Sequence, residues 1–149
     1  MTIDDLDRAL IAALQEDAGQ SYAALGQAVG LSAGSAHERV RKLKAAGVIR
    51  RTTIDVDPAA LGLGVLAFVL LESDAWMGDE PTLRALQGIP AVEEAHIIAG
   101  PASVLVKVRS ASTEDLQATL RALHQVHGVT STQTVVVLES FFERRPAVV

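Results

Sequence analysis

The sequence predicts an α+β chain in two parts, an N-terminal winged helix-turn-helix followed by a C-terminal ferredoxin-like βαββαβ domain. Three observations carry this. Apolar residues recur at helical spacing in three short segments before Gly47; beyond Gly64, β-branched runs alternate with helical ones; and basic residues concentrate on the third helical segment. The expected division is 1–51 for the winged helix-turn-helix, 52–64 for a hinge strand or linker, and 65–149 for the ferredoxin-like domain.

The first segment, from Asp4 to Glu16, places Leu6, Ala9, Leu10, Ala13 and Leu14 on one helical face, with Asp4, Asp5 and Asp7 at its electropositive start. After the turn at Gly19-Gln20, Ser21 is positioned to cap a short helix from Tyr22 to Val29 with Leu25 and Val29 inward, and Gly30 stops it. Ser32 caps a third helix that runs to about Ala46, with Ala36, Val40 and Leu43 inward and Gly47 as its stop. Two helices joined by a tight glycine turn form the helix-turn-helix pattern. The β-branched stretch from Val48 to Val56, which includes Arg50 and Arg51, predicts a strand or wing, and 58–64 a hinge.

The second part predicts strands from Val65 to Leu71, Val92 to Ile98, Val104 to Val108 and Thr132 to Leu138. Helices from Pro81 to Gln87 and from Thr113 to Val126 end at Gly88 and Gly128. Such a sheet has two helices on one face. In the first strand Leu66, Phe68 and Leu70 alternate with Val65, Ala67, Val69 and Leu71, so both faces are apolar, and a second subunit is the simplest cover for the one the helices do not reach.

Composition bounds the chemistry. The 149 residues contain no Cys, which excludes disulfides, thiolate metal sites and a cysteine nucleophile. The acidic start, Thr2 to Asp7, is unlike a secretory signal, and the apolar run from Leu61 to Leu71 is too short to span a bilayer, so a cytoplasmic protein with no membrane partner is expected. Net charge is −5, yet the stretch from Ser32 to Arg51 carries six basic residues and one acidic. One basic contact surface on an acidic body suits a double-stranded DNA partner.

On the third helix, Ser35, His37, Glu38 and Arg41 are expected to reach base edges in the major groove, while Arg39, Lys42, Lys44, Arg50 and Arg51 are placed for phosphates. The competing account is a three-helix packing motif with a solvated basic face. Gly30-Leu31-Ser32-Ala33-Gly34 spells the nucleophile-elbow string G-x-S-x-G, but a helix rather than a strand precedes Ser32, and an N-cap explains the serine. No enzymatic activity and no catalytic residue are expected. His124 and His127 lack a third ligand, His96 sits among apolar strand neighbours, and Trp76 and Met77 read as packing, so no metal and no cofactor are expected.

The stretch Leu25 to Ile49, with Leu-Gly-Gln-Ala-Val-Gly-Leu-Ser, then Arg39-Val-Arg-Lys-Leu and Ala46-Gly-Val-Ile, resembles the leucine-responsive and asparagine-operon (Lrp/AsnC) regulators. The likeness continues through Asp57-Pro58, Leu61-Gly-Leu-Gly, His96, Gly100, Val104-Leu-Val-Lys-Val, Gly128-Val129 and Thr132-Gln-Thr-Val. The resemblance implies a DNA-binding transcription regulator that dimerises through its sheets, assembles further, often to octamers, and responds to a small-molecule effector, an amino acid or related metabolite. By position the effector site would involve Gly100, Pro101, Ala102 and Ser103 with Thr132, Gln133 and Thr134. Ala102 and Ser103 stand where the family often has an aromatic residue and an Asp, which removes a carboxylate partner for an α-ammonium group. Glu38 stands where a basic residue is frequent; it repels phosphate but can accept from cytosine N4. The alternative function is a metabolite-binding oligomeric module whose DNA binding is weak or lost.

Overall fold

In a computed structural model of the protein, residues 2–148 are described; Met1 and Val149, the outermost residues of the two expected domains, lie outside them. The described chain runs α1 (Asp5–Glu16), α2 (Tyr22–Val29), α3 (Ala33–Ala45), β1 (Val65–Ser73), α4 (Glu80–Gln87), β2 (Val92–Ile97), β3 (Val104–Ser110), α5 (Thr113–His124) and β4 (Val129–Val136). It separates into two compact units, Met1–Asp55 with Glu143–Val149, and Val56–Phe142. Residues 143–148 cluster with the first unit, where the Gln15 amide donates to the Pro146 carbonyl at 3.0 Å.

The helical unit is set by local chemistry. Asp4 and Asp7 form a reciprocal capping box at the start of α1: the Asp7 N–H donates to Asp4 Oδ1 at 2.8 Å, and the Asp4 N–H to Asp7 Oδ2 at 3.1 Å. Ser21 caps α2 by accepting from the Ala24 N–H, and Ser32 caps α3 by accepting from the Ser35 N–H, both at 3.1 Å. Gly30 ends α2 with φ of 76°, a left-handed conformation open to glycine, and Gly47 follows α3 with φ of 72°. Leu10, Leu25, Ala36 and Val40 form the buried core, with Ala13, Leu14, Val29, Leu31 and Ile49 packed around it. The expected wing strand does not form: residues 50–57 have no regular secondary structure. β-branched side chains favour an extended backbone, but a strand also needs a neighbour to complete its hydrogen-bond ladder, and among the described residues the segment has none.

The second unit is a four-stranded antiparallel sheet in the order β2-β3-β1-β4, the split βαβ arrangement expected. Ala67, Val69 and Leu71 of β1 and Val104, Val106 and Val108 of β3 point to the helices, where they bury against Leu86 of α4 and Leu116 and Leu123 of α5. Leu66, Phe68 and Leu70 occupy the opposite face, paired in register with Arg109, Lys107 and Leu105. No helix of this unit covers that face; Val135, beside Phe68, is 52% exposed.

Candidate nucleic-acid interface and effector region

Helix α3 has one buried and one open side. Ala36, Val40 and Leu43 anchor it to the core at 1% exposure or less, which turns Glu38, Arg41 and Lys42 outward, on the turn after Ser35 and His37. The open side is structured before any ligand arrives. Glu38 accepts two parallel hydrogen bonds from Arg41, from Nε and Nη2, each 2.8 Å long, and Lys42 Nζ lies 3.7 Å from the same carboxylate. The Arg41 hydrogen bonds hold the Glu38 carboxyl well below its ordinary range, at about 2. The His37 ring meets Tyr22 of α2 edge-on, with centroids 4.6 Å apart. Lys44, Arg50 and Arg51 are exposed. Ser32 stands after a helix and caps the next one, as an N-cap and not as a strained elbow.

Arg39 is placed differently. Its Nη1 donates to Asp4 Oδ2 and Asp7 Oδ1, 2.8 Å each, and Asp7 is only 4% exposed. Hydrogen bonds from the Asp7 backbone and from Arg39 lower the pKa of Asp4. Arg39 thus ties α3 to the N-terminal turn of α1 instead of standing free for phosphate.

In the sheet unit, the loop 98–103 and Thr132 lie at the same end of the sheet. The Ser103 N–H donates to the Leu71 carbonyl at 2.9 Å, and Leu71 pairs with Val104 on one side and Thr132 on the other. One strand therefore separates the loop from Thr132, a spacing of roughly 10 Å between their backbones. The three residues of β4 do not share a face. Thr132 and Thr134 pair with Leu71 and Val69 on the helix side, whereas Gln133 pairs with Leu70 on the open side. Thr132 also borders an open groove of ≈ 360 Å³ with Gln117, Leu120, Arg121, His124 and Gln125 of α5 and its end.

Residues 3–44 match the AsnC-type helix-turn-helix domain, and residues 66–147 match the Lrp/AsnC ligand binding domain. The chain belongs to the Lrp/AsnC family. Among relatives of this Lrp/AsnC regulator, the Escherichia coli regulatory protein AsnC is 34% identical over 93% of this chain and 91% of its own length. The transcriptional regulator FL11 of Pyrococcus horikoshii is 33% identical over 95% and 93%. The solved structure of E. coli AsnC superposes with a TM-score of 0.89 at 32% identity, covering 99% of both chains. The feast or famine regulatory protein of M. tuberculosis, solved in complex with L-methionine, gives 0.90 at 28% identity, again over 99% of both chains. The relatives are named transcription regulators, and this Lrp/AsnC chain is a regulator and not an enzyme. Among the described residues no helix is long and apolar enough to cross a membrane.

Two features of this Lrp/AsnC chain escaped the sequence reasoning, although spacing carried a signal for each. Arg39 lies three residues after Ala36 and four before Leu43, so it flanks the buried stripe and not the open one. Asp4 and Asp7, read as dipole partners, are also three apart, the spacing at which two carboxylates can grip one guanidinium.

Proposed function

We propose that this regulator binds specific sites in double-stranded DNA as a cytoplasmic homo-oligomer, with α3 of each subunit in a major groove and an amino acid or related metabolite as effector. The open side of α3 carries the reading, because its buried side is fixed to the core while Ser35, His37, Glu38, Arg41 and Lys42 face solvent. Lys42, Lys44, Arg50 and Arg51 supply phosphate contacts, and Arg39 acts indirectly by holding α3 against α1. A second copy covers the sheet face bearing Phe68, Leu70 and Leu105, and the two recognition helices of the pair read half-sites about one helical turn of DNA apart. The loop 100–103 with Thr132 and Thr134 forms this chain's share of the effector site. The L-methionine held by the tuberculosis relative supports an amino-acid ligand, although Ala102 and Ser103 offer no carboxylate to an α-ammonium group.

The test is selection of genomic fragments by the purified protein, followed by titration against salt and a panel of amino acids that includes L-methionine. A recovered near-palindromic site, bound less tightly as salt rises, supports the proposal. Failure to enrich any fragment at low salt, with or without amino acids, replaces it with the metabolite-binding module.

A further inference from the structure

The open face of α3 is unusual for a surface that must approach phosphates: its central cation is already occupied by a carboxylate. Both donors of one edge of Arg41 are committed to Glu38, and Lys42 leans toward the same group. Both partners are exposed, with side-chain exposures of 59% for Arg41 and 47% for Glu38, so DNA can reach either. We propose that Glu38 is a specificity-determining residue, one that occupies Arg41 in the free protein and releases it where the DNA presents a cytosine amino group beside a guanine. The inference rests on the DNA-binding reading above and adds to it a rule for which base pair is read and why other DNA is rejected.

Against arbitrary DNA, the Glu38 charge faces phosphates and acceptor-bearing base edges, and Arg41 can turn its Nε–Nη2 edge to the DNA only by giving up both hydrogen bonds to that carboxylate. Cytosine N4 is a donor in the major groove, whereas thymine presents O4, an acceptor, and a methyl group at the corresponding place. A cytosine therefore replaces one of the two donors that Glu38 loses, with Lys42 still 3.7 Å from the carboxylate, and the freed Arg41 fork matches O6 and N7 of a neighbouring guanine. With its carboxyl held at about 2, Glu38 is ionised across the physiological range, so protonation offers no alternative release. The exchange depresses binding to random sequence more than binding to the cognate site, which suits a chain of net charge −5 whose cations must still discriminate.

The experiment compares the full-length protein with Glu38→Gln, a variant of the same shape without the charge. DNA selection is run on both, together with titration against random-sequence duplex and against a selected site carrying cytosine-to-thymine changes. The expected result is a cytosine requirement in the wild-type motif that Glu38→Gln loses, and random-duplex binding by Glu38→Gln that is about five- to tenfold tighter at low salt, from removal of one charge near phosphate. In an Arg41→Ala background, the same substitution should change random-duplex affinity less, because no occupied cation remains to be released. If the wild type selects a site and Glu38→Gln selects the same one with unchanged random-duplex affinity, the role of Glu38 is overturned while the DNA-binding reading stands. If the wild type selects no site, both fall together.

Discussion

At the scale of single residues, Asp7 shows how an acidic side chain can be worth burying. It accepts from the Asp4 N–H and from Arg39 while its own N–H is satisfied by Asp4, so one carboxylate closes a helix cap and an interhelical contact. Asp7→Ala leaves the Asp4 N–H without its cap partner and Arg39 without its buried one, and should destabilise the helical unit by about 1–3 kcal/mol in denaturant unfolding. An unchanged midpoint would show the network to be decorative. The carboxyls of Asp4 and Asp79 are also held below their ordinary value of 3.8, Asp79 chiefly by its hydrogen bond with Thr82. Groups depressed in the folded state contribute stability above the ordinary value and lose it as pH falls through the folded one. The caps of α1 and α4 should therefore loosen in acid, below about pH 4, and amide exchange in those first turns read against pH checks it. Protection that rose on acidification would contradict this. Spacing placed Asp4, Asp7 and Arg39 where they could meet, but a charge pattern does not say which cation a carboxylate will choose.

At the scale of elements, α2 and α3 were legible because each carries its own start and stop, Ser21 and Ser32 as caps and Gly30 and Gly47 as stops, whereas α1 was legible from its apolar spacing and acidic first turn and its Asp4 cap emerged only in the structure. The turn between α2 and α3 depends on a further glycine that periodicity left unremarked. A Cβ on Gly26 would stand 2.5 Å from the Leu31 carbonyl oxygen and 3.1 Å from Ser32 backbone atoms, so the chain passes where a side chain would be. Gly26→Ala should cost about 1–3 kcal/mol by this overlap and weaken DNA binding in parallel. Thermal unfolding with a binding titration tests both, and a variant as stable as the wild type would remove Gly26 from the account. The strand expected over Val48 to Val56 failed for the opposite reason. Its β-branched residues state a local preference, whereas a strand is a property of two segments, and none of the described residues provides the second.

At the scale of the whole molecule, the order of elements and the alternation in β1 were enough to place a sheet with one face under helices and one face open. The effector region was less legible. Thr132, Gln133 and Thr134 are consecutive, and the pleat alone sends Gln133 to the face away from the other two. If the open face holds subunits together, a fragment spanning Val56–Phe142 should stay soluble and dimeric by sedimentation; a monomer would place the contact elsewhere. The outward residues of α3 are proposed to read the major groove in two successive turns of DNA. Methylation interference at guanine N7 on a selected site, with full-length protein, tests it most directly, because N7 lies in the major groove alone. Two clusters of interfering guanines about one helical turn apart are expected, with interference at the Arg41 guanine lost in Arg41→Ala. Interference at no guanine, or a pattern unchanged by Arg41→Ala, would contradict it.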